Sequence, residues 1–545
     1  MWTQFLIQFW ILLVMALCAA VLLGRYIGMY FAPIAERRVD TIGKVERRLL
    51  SLLGVDEKKQ DQSWVGYSKS LLVVNLLFFI GGYLLLRFQG SLPLNPNGAA
   101  NLDWSTALHT TISFMTNTDQ QHYSGEALSY LSQTFVLGTM LFVAPTMAFT
   151  VCIAVIRGLA NKPLGNFYAD FVRFIFRILL PISLFFGMLM ILLGVPQTFS
   201  GAISVTTLEG AKQLIYRGPV AAFEVIKQLG NNGGGFFGAN GAHPFENPNQ
   251  FVNFIQMFLM LLIPMSLPVA YGKIIGSAKQ GRLFLGVMTI LFIMMTFGMA
   301  GSLFANPTAH GQELRFGQVG TALYSSITSA AETGAVNAMH DSLHPLPGLI
   351  QLGNMMLNVV YGGAGAGFLN VLLYAFVAVF LTGLLIGRTP TFLGKKIETF
   401  EVKMIAIALL VPPFLILVCI QLNDNARKLI YRGFRMASRL KAELYVLTIL
   451  PTAENQLNAK QKEVLAMVRE SGALFGAKVL IRIQGERSIA QAITAAAKHH
   501  RITQIVLGQS ARTRWQEIRR GSIINEIMRH VRGIDIQIVA DDLER

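Results

Sequence analysis

The pattern of apolar positions divides the chain in two. A membrane crossing takes about 20 apolar residues. Seven runs meet that length, at 4–31, 67–87, 131–156, 168–195, 251–272, 282–304 and a glycine-broken stretch at 354–387. An eighth apolar run occupies 403–420. From residue 414 the period changes. FLILVCI (414–420), ELYVLTIL (443–450), AKVLIRI (477–483), QIVLG (504–508) and DIQIVA (535–540) read as strands. Segments near 424–441, 459–472, 488–499 and 522–531 read as helices. Strands spaced by helices predict a parallel sheet covered on both faces. The expected fold is an α-helical membrane protein of repeated span, pore-loop and span units over 1–413, followed by an α/β doubly wound parallel-sheet domain over 414–545.

The eighth run is asked to do two jobs. As a span it carries the chain outward. As the first strand, 414–420 belongs to the soluble sheet. What remains, 403–413, is then too short to cross and ends at Pro412 and Pro413. The strand reading is preferred, with 403–413 at the membrane interface.

Composition agrees with this division. Apolar residues make up 53% of the 545, and charged residues 14%, against about 25% charged in soluble domains. That excludes a disordered chain, a coiled coil and an ordinary cytosolic enzyme. Residues 1–420 carry a net charge of +7, and residues 421–545 carry +9 in less than a quarter of the length. Cys18, Cys152 and Cys419 are far apart and lack metal spacing. The first two lie in apolar runs and are expected to be buried thiols.

Basic residues orient the spans. The 32–65 loop carries Arg37, Arg38, Lys44, Arg47, Arg48, Lys58 and Lys59, whereas the 88–130 loop carries no Lys or Arg. Loop 157–167 has Arg157 and Lys162, loop 273–282 has Lys273, Lys279 and Arg282, and loop 305–350 has only Arg315. Arg388, Lys395, Lys396 and Lys403 follow the seventh run. Loops rich in Lys and Arg face the cytoplasm, which places the amino terminus outside.

Three extracytoplasmic loops form an internal repeat. They read HTTISFMTNTDQQHYSGE (109–126), AAFEVIKQLGNNGGGFFGANGAHPFENP (221–248) and SSITSAAETGAVNAMHDSL (325–343). Each is a short helical run ending in small polar residues, centred on Thr118, Asn232 and Thr333. Non-helical backbone survives at membrane depth only where it is buried in protein or lines a wet cavity. Glycine permits dihedrals that aim several carbonyls at one point, and rings of carbonyls can replace the hydration shell of a potassium ion. His243, His340, Glu246 and Asp341 follow the second and third loops and are expected to hold them by hydrogen bonds.

These strings resemble the potassium-binding, channel-like KdpA subunit of the Kdp potassium-transporting P-type ATPases. The carrying motifs are TNT (116–118), YSGE (123–126), GGGFFGAN (233–240), HPFENP (243–248), TGAVNAMHDS (333–342), GGAGAG (362–367) and IGRTPTFLGKKIE (386–398). The resemblance implies potassium selection in a pore of four pseudo-repeats, in a multi-pass protein of the bacterial plasma (inner) membrane. It also implies a KdpB-like ATPase subunit and small KdpC-like and KdpF-like subunits as partners, besides membrane lipid, and no nucleic acid. The filter backbone it implies is Asn117, Thr118 and Asp119, then Asn231, Asn232 and Gly233, then Glu332, Thr333 and Gly334. Two residues depart from the family pattern. Asp119-Gln120 stands where Asn-Trp is common, and Glu332 where a small residue is common. Backbone carbonyls serve whatever the side chain, so coordination can survive both changes; the alternative is that the two carboxylates shift cation affinity. No Walker motif and no P-type phosphorylation motif is present, so ATP hydrolysis is not expected of this chain.

A fourth pore loop belongs near 430–440. The chain there reads as an amphipathic basic helix, so the resemblance covers three of four repeats. The tail resembles a universal stress protein (Usp) domain, especially that of the KdpD potassium sensor kinases. The Usp nucleotide pattern Gly-x2-Gly-x9-Gly-Ser falls on Gly508, Ala511, Gly521 and Ser522, with Arg512, Arg514, Arg519 and Arg520 available for phosphate. ATP or cyclic di-AMP is the implied ligand, although Ala511 replaces a glycine and Gln421 replaces the first-strand acid. The expected function is the potassium-translocating subunit of an ATP-driven uptake complex, with a cytoplasmic regulatory Usp-like domain. The alternative is a membrane-anchored nucleotide sensor with a truncated, non-conducting pore.

Overall fold

The structure, a computed structural model, describes residues 1–33, 44–55, 61–123, 125–305, 311–387 and 389–421. In the tail it describes 445–450, 465, 468–469, 478–483, 493, 504–508 and 535–539. The chain separates into two compact units, Met1–Pro413 and Phe414–Arg545.

All seven expected crossings are helices. The membrane unit runs α1 (Trp2–Tyr30), α2 (Lys44–Leu52), α3 (Trp64–Arg87), α4 (Trp104–Met115), α5 (Gly138–Leu159), α6 (Phe167–Phe174) and α7 (Leu180–Leu192). It continues with a hairpin β1 (Ile203–Thr206) and β2 (Lys212–Ile215), then α8 (Val220–Leu229), α9 (Gln250–Ile274), α10 (Ala278–Ala305), α11 (Gly317–Ala330), α12 (Pro345–Leu357) and α13 (Ala366–Ile386). Next come a short hairpin, β3 (Thr391–Phe392) and β4 (Lys395–Lys396), and α14 (Thr399–Gln421). Among the described residues, seven helical segments are long and apolar enough to cross a membrane. Two are central: 83% of the apolar window of α9 and 72% of that of α5 lie inside the molecule, against 11% for α13.

A stripe of small residues explains the central pairing. Ala16, Ala20, Gly24 and Gly28 recur every four residues, so they share one face of α1, and all are buried. A Cβ on Gly24 would lie 2.4 Å from Ser266 O, and one on Gly28 would lie 2.6 Å from Lys273 Cβ. Small residues let helix backbones approach closely in a membrane, where no hydrophobic drive separates helix from lipid. The buried Cys152 agrees with expectation, but Cys18 faces outward from α1.

Charged side chains fasten one set of helix ends. Arg157 on α5 is buried and forks onto Asp170 of α6, with Nη1 2.7 Å from Oδ2 and Nη2 2.9 Å from Oδ1. Its Nε donates to Phe31 O at 2.8 Å, and Tyr67 OH of α3 donates to Asp170 Oδ2 at 3.1 Å. One ion pair therefore joins α3, α5, α6 and the end of α1. Glu46 of α2 reaches Arg173 Nε at 3.2 Å and Arg177 Nε at 2.6 Å. Of the loop residues read as cytoplasmic, Arg37, Arg38, Lys58, Lys59 and Arg388 lie outside the described residues.

The seventh apolar run is interrupted as its glycines predict. Between α12 and α13 the backbone takes positive φ at Asn358, Tyr361, Gly363 and Gly365. The junction differs from expectation. FLILVCI (414–420) is not a strand: α14 runs unbroken through it to Gln421. A continuous apolar run carries no period that separates a buried strand from a buried helix, and here the helix extends through Pro412 and Pro413.

The other four expected strands are present. β5 (Tyr445–Leu450) pairs parallel with β6 (Lys478–Ile483), and β7 (Gln504–Gly508) pairs parallel with β8 (Asp535–Val539). Parallel pairing needs a long crossover between partners, and the 27- and 26-residue separations supply it. The helices expected at 424–441 and 522–531 lie outside the described residues, and those at 459–472 and 488–499 largely do.

Arg157→Ala leaves Asp170 charged and buried. It is expected to destabilise the membrane unit by about 3–5 kcal/mol, read as a lowered unfolding midpoint of the full chain in detergent. An unchanged midpoint contradicts the fastening role.

Candidate functional site

Three short helices end in one way. Asp103 caps the first, α4, accepting from Ser105 N at 2.9 Å and Thr106 N at 3.3 Å. Hydrogen bonds from Thr106 and Ser105 hold its carboxyl well below the usual carboxylate range. At the carboxyl ends of α4, α8 and α11, the second residue beyond the helix adopts a left-handed conformation: Asn117 (φ 59°), Asn231 (φ 53°) and Glu332 (φ 51°). The next N–H then reaches back five residues, Thr118 to Ser113 O, Asn232 to Lys227 O and Thr333 to Thr328 O, each at 2.9 Å. This is a Schellman closure, repeated three times at equivalent positions. Glycine or asparagine usually fills the left-handed position. Glu332 does so against a left-handed cost of about 1–2 kcal/mol.

The closures bring the loops together. Asn117 Nδ2 donates to Asn231 O at 2.8 Å, tying the first loop to the second. Asn231 Nδ2 donates to Met260 O at 2.7 Å and to Thr333 Oγ1 at 3.2 Å, tying the second to the third. A Cβ on Gly233 would stand 2.1 Å from Thr333 O, so only glycine permits that approach. Asn232 is buried and donates to Leu141 O at 3.1 Å. Thr118 and Gly334 are exposed, and Asp119 is buried. Glu332 is half-buried, and among the described residues its carboxylate has no hydrogen bond or ion pair.

Residues missed in the sequence brace these segments from behind. Gln121 binds Gly235 in both directions, Nε2 to O at 3.1 Å and Oε1 from N at 2.7 Å. Asn240 Nδ2 donates to Gly233 O at 2.7 Å. Gly363 N, in the break between α12 and α13, donates to Ala331 O at 2.9 Å. Lys227 of α8 is fully buried, with Glu224 Oε2 at 2.5 Å and Glu246 Oε2 at 2.7 Å. Its signal was a lysine within the apolar run VAAFEVIKQL. Glu246 Oε1 also accepts from Phe237 N at 2.7 Å, and His243 Nδ1 accepts from Phe245 N at 3.1 Å, so both hold their loop as expected. His340 Nε2 is buried without a partner, and Asp341 makes no such bond. In the tail, Gly508 ends β7. Ala511, Arg512, Arg514, Gly521 and Ser522 lie outside the described residues, as does the 430–440 segment.

Three pore-type loops locked to one another between paired membrane helices accord with a match to the potassium-transporting ATPase A subunit family model over residues 10–432. The chain belongs to that family. A second match, to the universal stress protein family, covers residues 415–533, so the protein joins a KdpA domain to a Usp domain. The KdpA match continues beyond 413, through the segment where α14 replaces the expected strand. Among solved structures, the chain is similar to the potassium transporter TrkH from Vibrio parahaemolyticus, with 15% identity and a TM-score of 0.45, covering 76% of this chain and 84% of that one.

Gly233→Ala forces the second and third loops apart. It is expected to lower potassium affinity at least tenfold, about 1.4 kcal/mol, read from potassium-dependent thermal stabilisation in detergent. An unchanged affinity contradicts the role of that close approach.

Proposed function

We propose that this KdpA-family chain is the potassium-binding, translocating subunit of an ATP-driven uptake complex, with potassium as cargo. The observation that carries the reading is the threefold closure at Asn117, Asn231 and Glu332, with direct bonds from loop to loop. Main-chain oxygens of Asn117, Thr118 and Asp119, of Asn231, Asn232 and Gly233, and of Glu332, Thr333 and Gly334 are the proposed ligands. Carbonyl dipoles held rigidly replace ion hydration without reorganising. A KdpB-like subunit supplies ATP hydrolysis, with KdpC-like and KdpF-like subunits beside it.

The Usp domain is proposed to be cytoplasmic and regulatory, binding ATP or cyclic di-AMP. Six basic residues, Arg427, Lys428, Arg432, Arg435, Arg439 and Lys441, follow α14 closely. Basic residues this near an apolar helix are retained in the cytoplasm. The segment before α14 is basic too, at Lys395 and Lys396, and Lys403 lies near the start of the helix. A cysteine introduced by Ser438→Cys is expected to resist membrane-impermeant maleimide in intact cells and to react after permeabilisation. Labelling of intact cells contradicts a cytoplasmic tail.

Expression with the ATPase subunits, in cells lacking their own potassium uptake, is expected to restore growth at micromolar potassium. Assembly of the complex without uptake rejects the transport reading in favour of a membrane-anchored nucleotide sensor.

A further inference from the structure

Asp119 is the buried charge that the rest of the site leaves unanswered. Its side chain is 4% exposed, and neither Oδ1 nor Oδ2 has a hydrogen-bond partner. Its main-chain N–H is satisfied, donating to Ser113 O at 3.1 Å. Asn117 Oδ1, two residues earlier, is likewise buried and unpartnered. An ionised carboxylate is not left unpaired in a protein interior, because desolvation costs several kcal/mol. Protonation alone does not solve the problem, since the second carboxyl oxygen would still lack a donor.

Among the described residues, no side chain supplies the missing cation. Lys227 is the ammonium whose field reaches Asp119. Its Nζ already meets Glu224 Oε2 at 2.5 Å, Glu246 Oε2 at 2.7 Å and Asn240 Oδ1 at 3.0 Å. It donates to Glu246 and Asn240 and is ion-paired with Glu224, so its charge is already engaged. That network sets two carboxylates against one ammonium, so it adds no spare positive charge. Arg315 is committed to Glu313 Oε2 at 2.9 Å and to the carbonyls of Ala242 and Asn247. The loop that carries Asp119 contains no Lys or Arg between 88 and 130.

We propose that the Asp119 carboxylate is a direct ligand of the bound monovalent cation, adding a charged side-chain oxygen to a site otherwise built from neutral main-chain oxygens. The proposal rests on the potassium-binding reading above. It makes the first loop unlike the second, whose Asn231 and Asn232 present only neutral amides. It also makes the empty site electrostatically strained, with the strain relieved on binding.

The test uses the full chain in detergent. Its melting temperature is followed as potassium chloride replaces choline chloride at constant ionic strength. Asp119→Asn keeps the shape and removes the charge. Its potassium affinity is expected to fall at least tenfold, while its potassium-free melting temperature is equal to or above that of the wild type. Asp119→Glu keeps the charge and displaces it by one methylene; direct ligation predicts that it stays weak. Asp119→Ser repeats the charge removal with a smaller side chain, so the result does not hang on one variant. Wild-type affinity in Asp119→Asn and Asp119→Ser overturns direct ligation, and so does wild-type affinity in Asp119→Glu, which marks attraction through space. A wild-type chain that potassium does not stabilise overturns the potassium-binding reading and this proposal together. Stabilisation of the wild type that all three variants share overturns this proposal alone.

Discussion

The structure depends on one constraint: irregular backbone inside a membrane protein must find its hydrogen bonds within the protein. The three pore-type loops solve it locally first. Each helix closes its own end by a five-residue back-reach, at Thr118, Asn232 and Thr333. The solution then becomes collective, because the side chains freed by that geometry bond the neighbouring loop. Asn117 holds the second loop and Asn231 holds the third. Glu332 occupies the equivalent place in the third loop and, among the described residues, its side chain holds no neighbour.

Around the loops the membrane unit is stiffened by unequal means. Close helix packing through Ala16, Ala20, Gly24 and Gly28 seats α1 on α9. Buried charge pairs are used where backbone carbonyls also need donors, as Arg157 does for Phe31 O and Leu164 O. Behind the second loop, Lys227, Glu224 and Glu246 join α8 to the loop that follows it. A buried pair contributes little net stability, but breaking one partner is costly. Such groups fix the position of the loops they brace.

Much of this was legible in the chain. The spans were visible because a bilayer imposes length and composition together, and the loops because strings such as NNGGG have no use inside a membrane helix. The left-handed closures were partly legible, since Asn follows two of the three helices. Glu332 gave no such signal, because nothing in its side chain favours that conformation. The braces from Gln121, Asn240 and Gly363 are contacts between distant or looped segments, which periodicity does not encode. The small-residue stripe on α1 was plain in the sequence and carried a pairing that was not drawn from it. The junction misled for a physical reason. FLILVCI is apolar at every position, so neither a period of two nor one of 3.6 is imposed on it, and the preceding apolar run extends α14 through it.

The central claim is that three loops, widely separated in the chain, converge on one potassium site. Locating a heavy potassium substitute tests it most directly. With thallium in place of potassium, the account predicts an anomalous peak in contact with main-chain oxygens from all three loops. A peak held by one loop alone, or lying away from Asn117, Asn231 and Thr333, contradicts it.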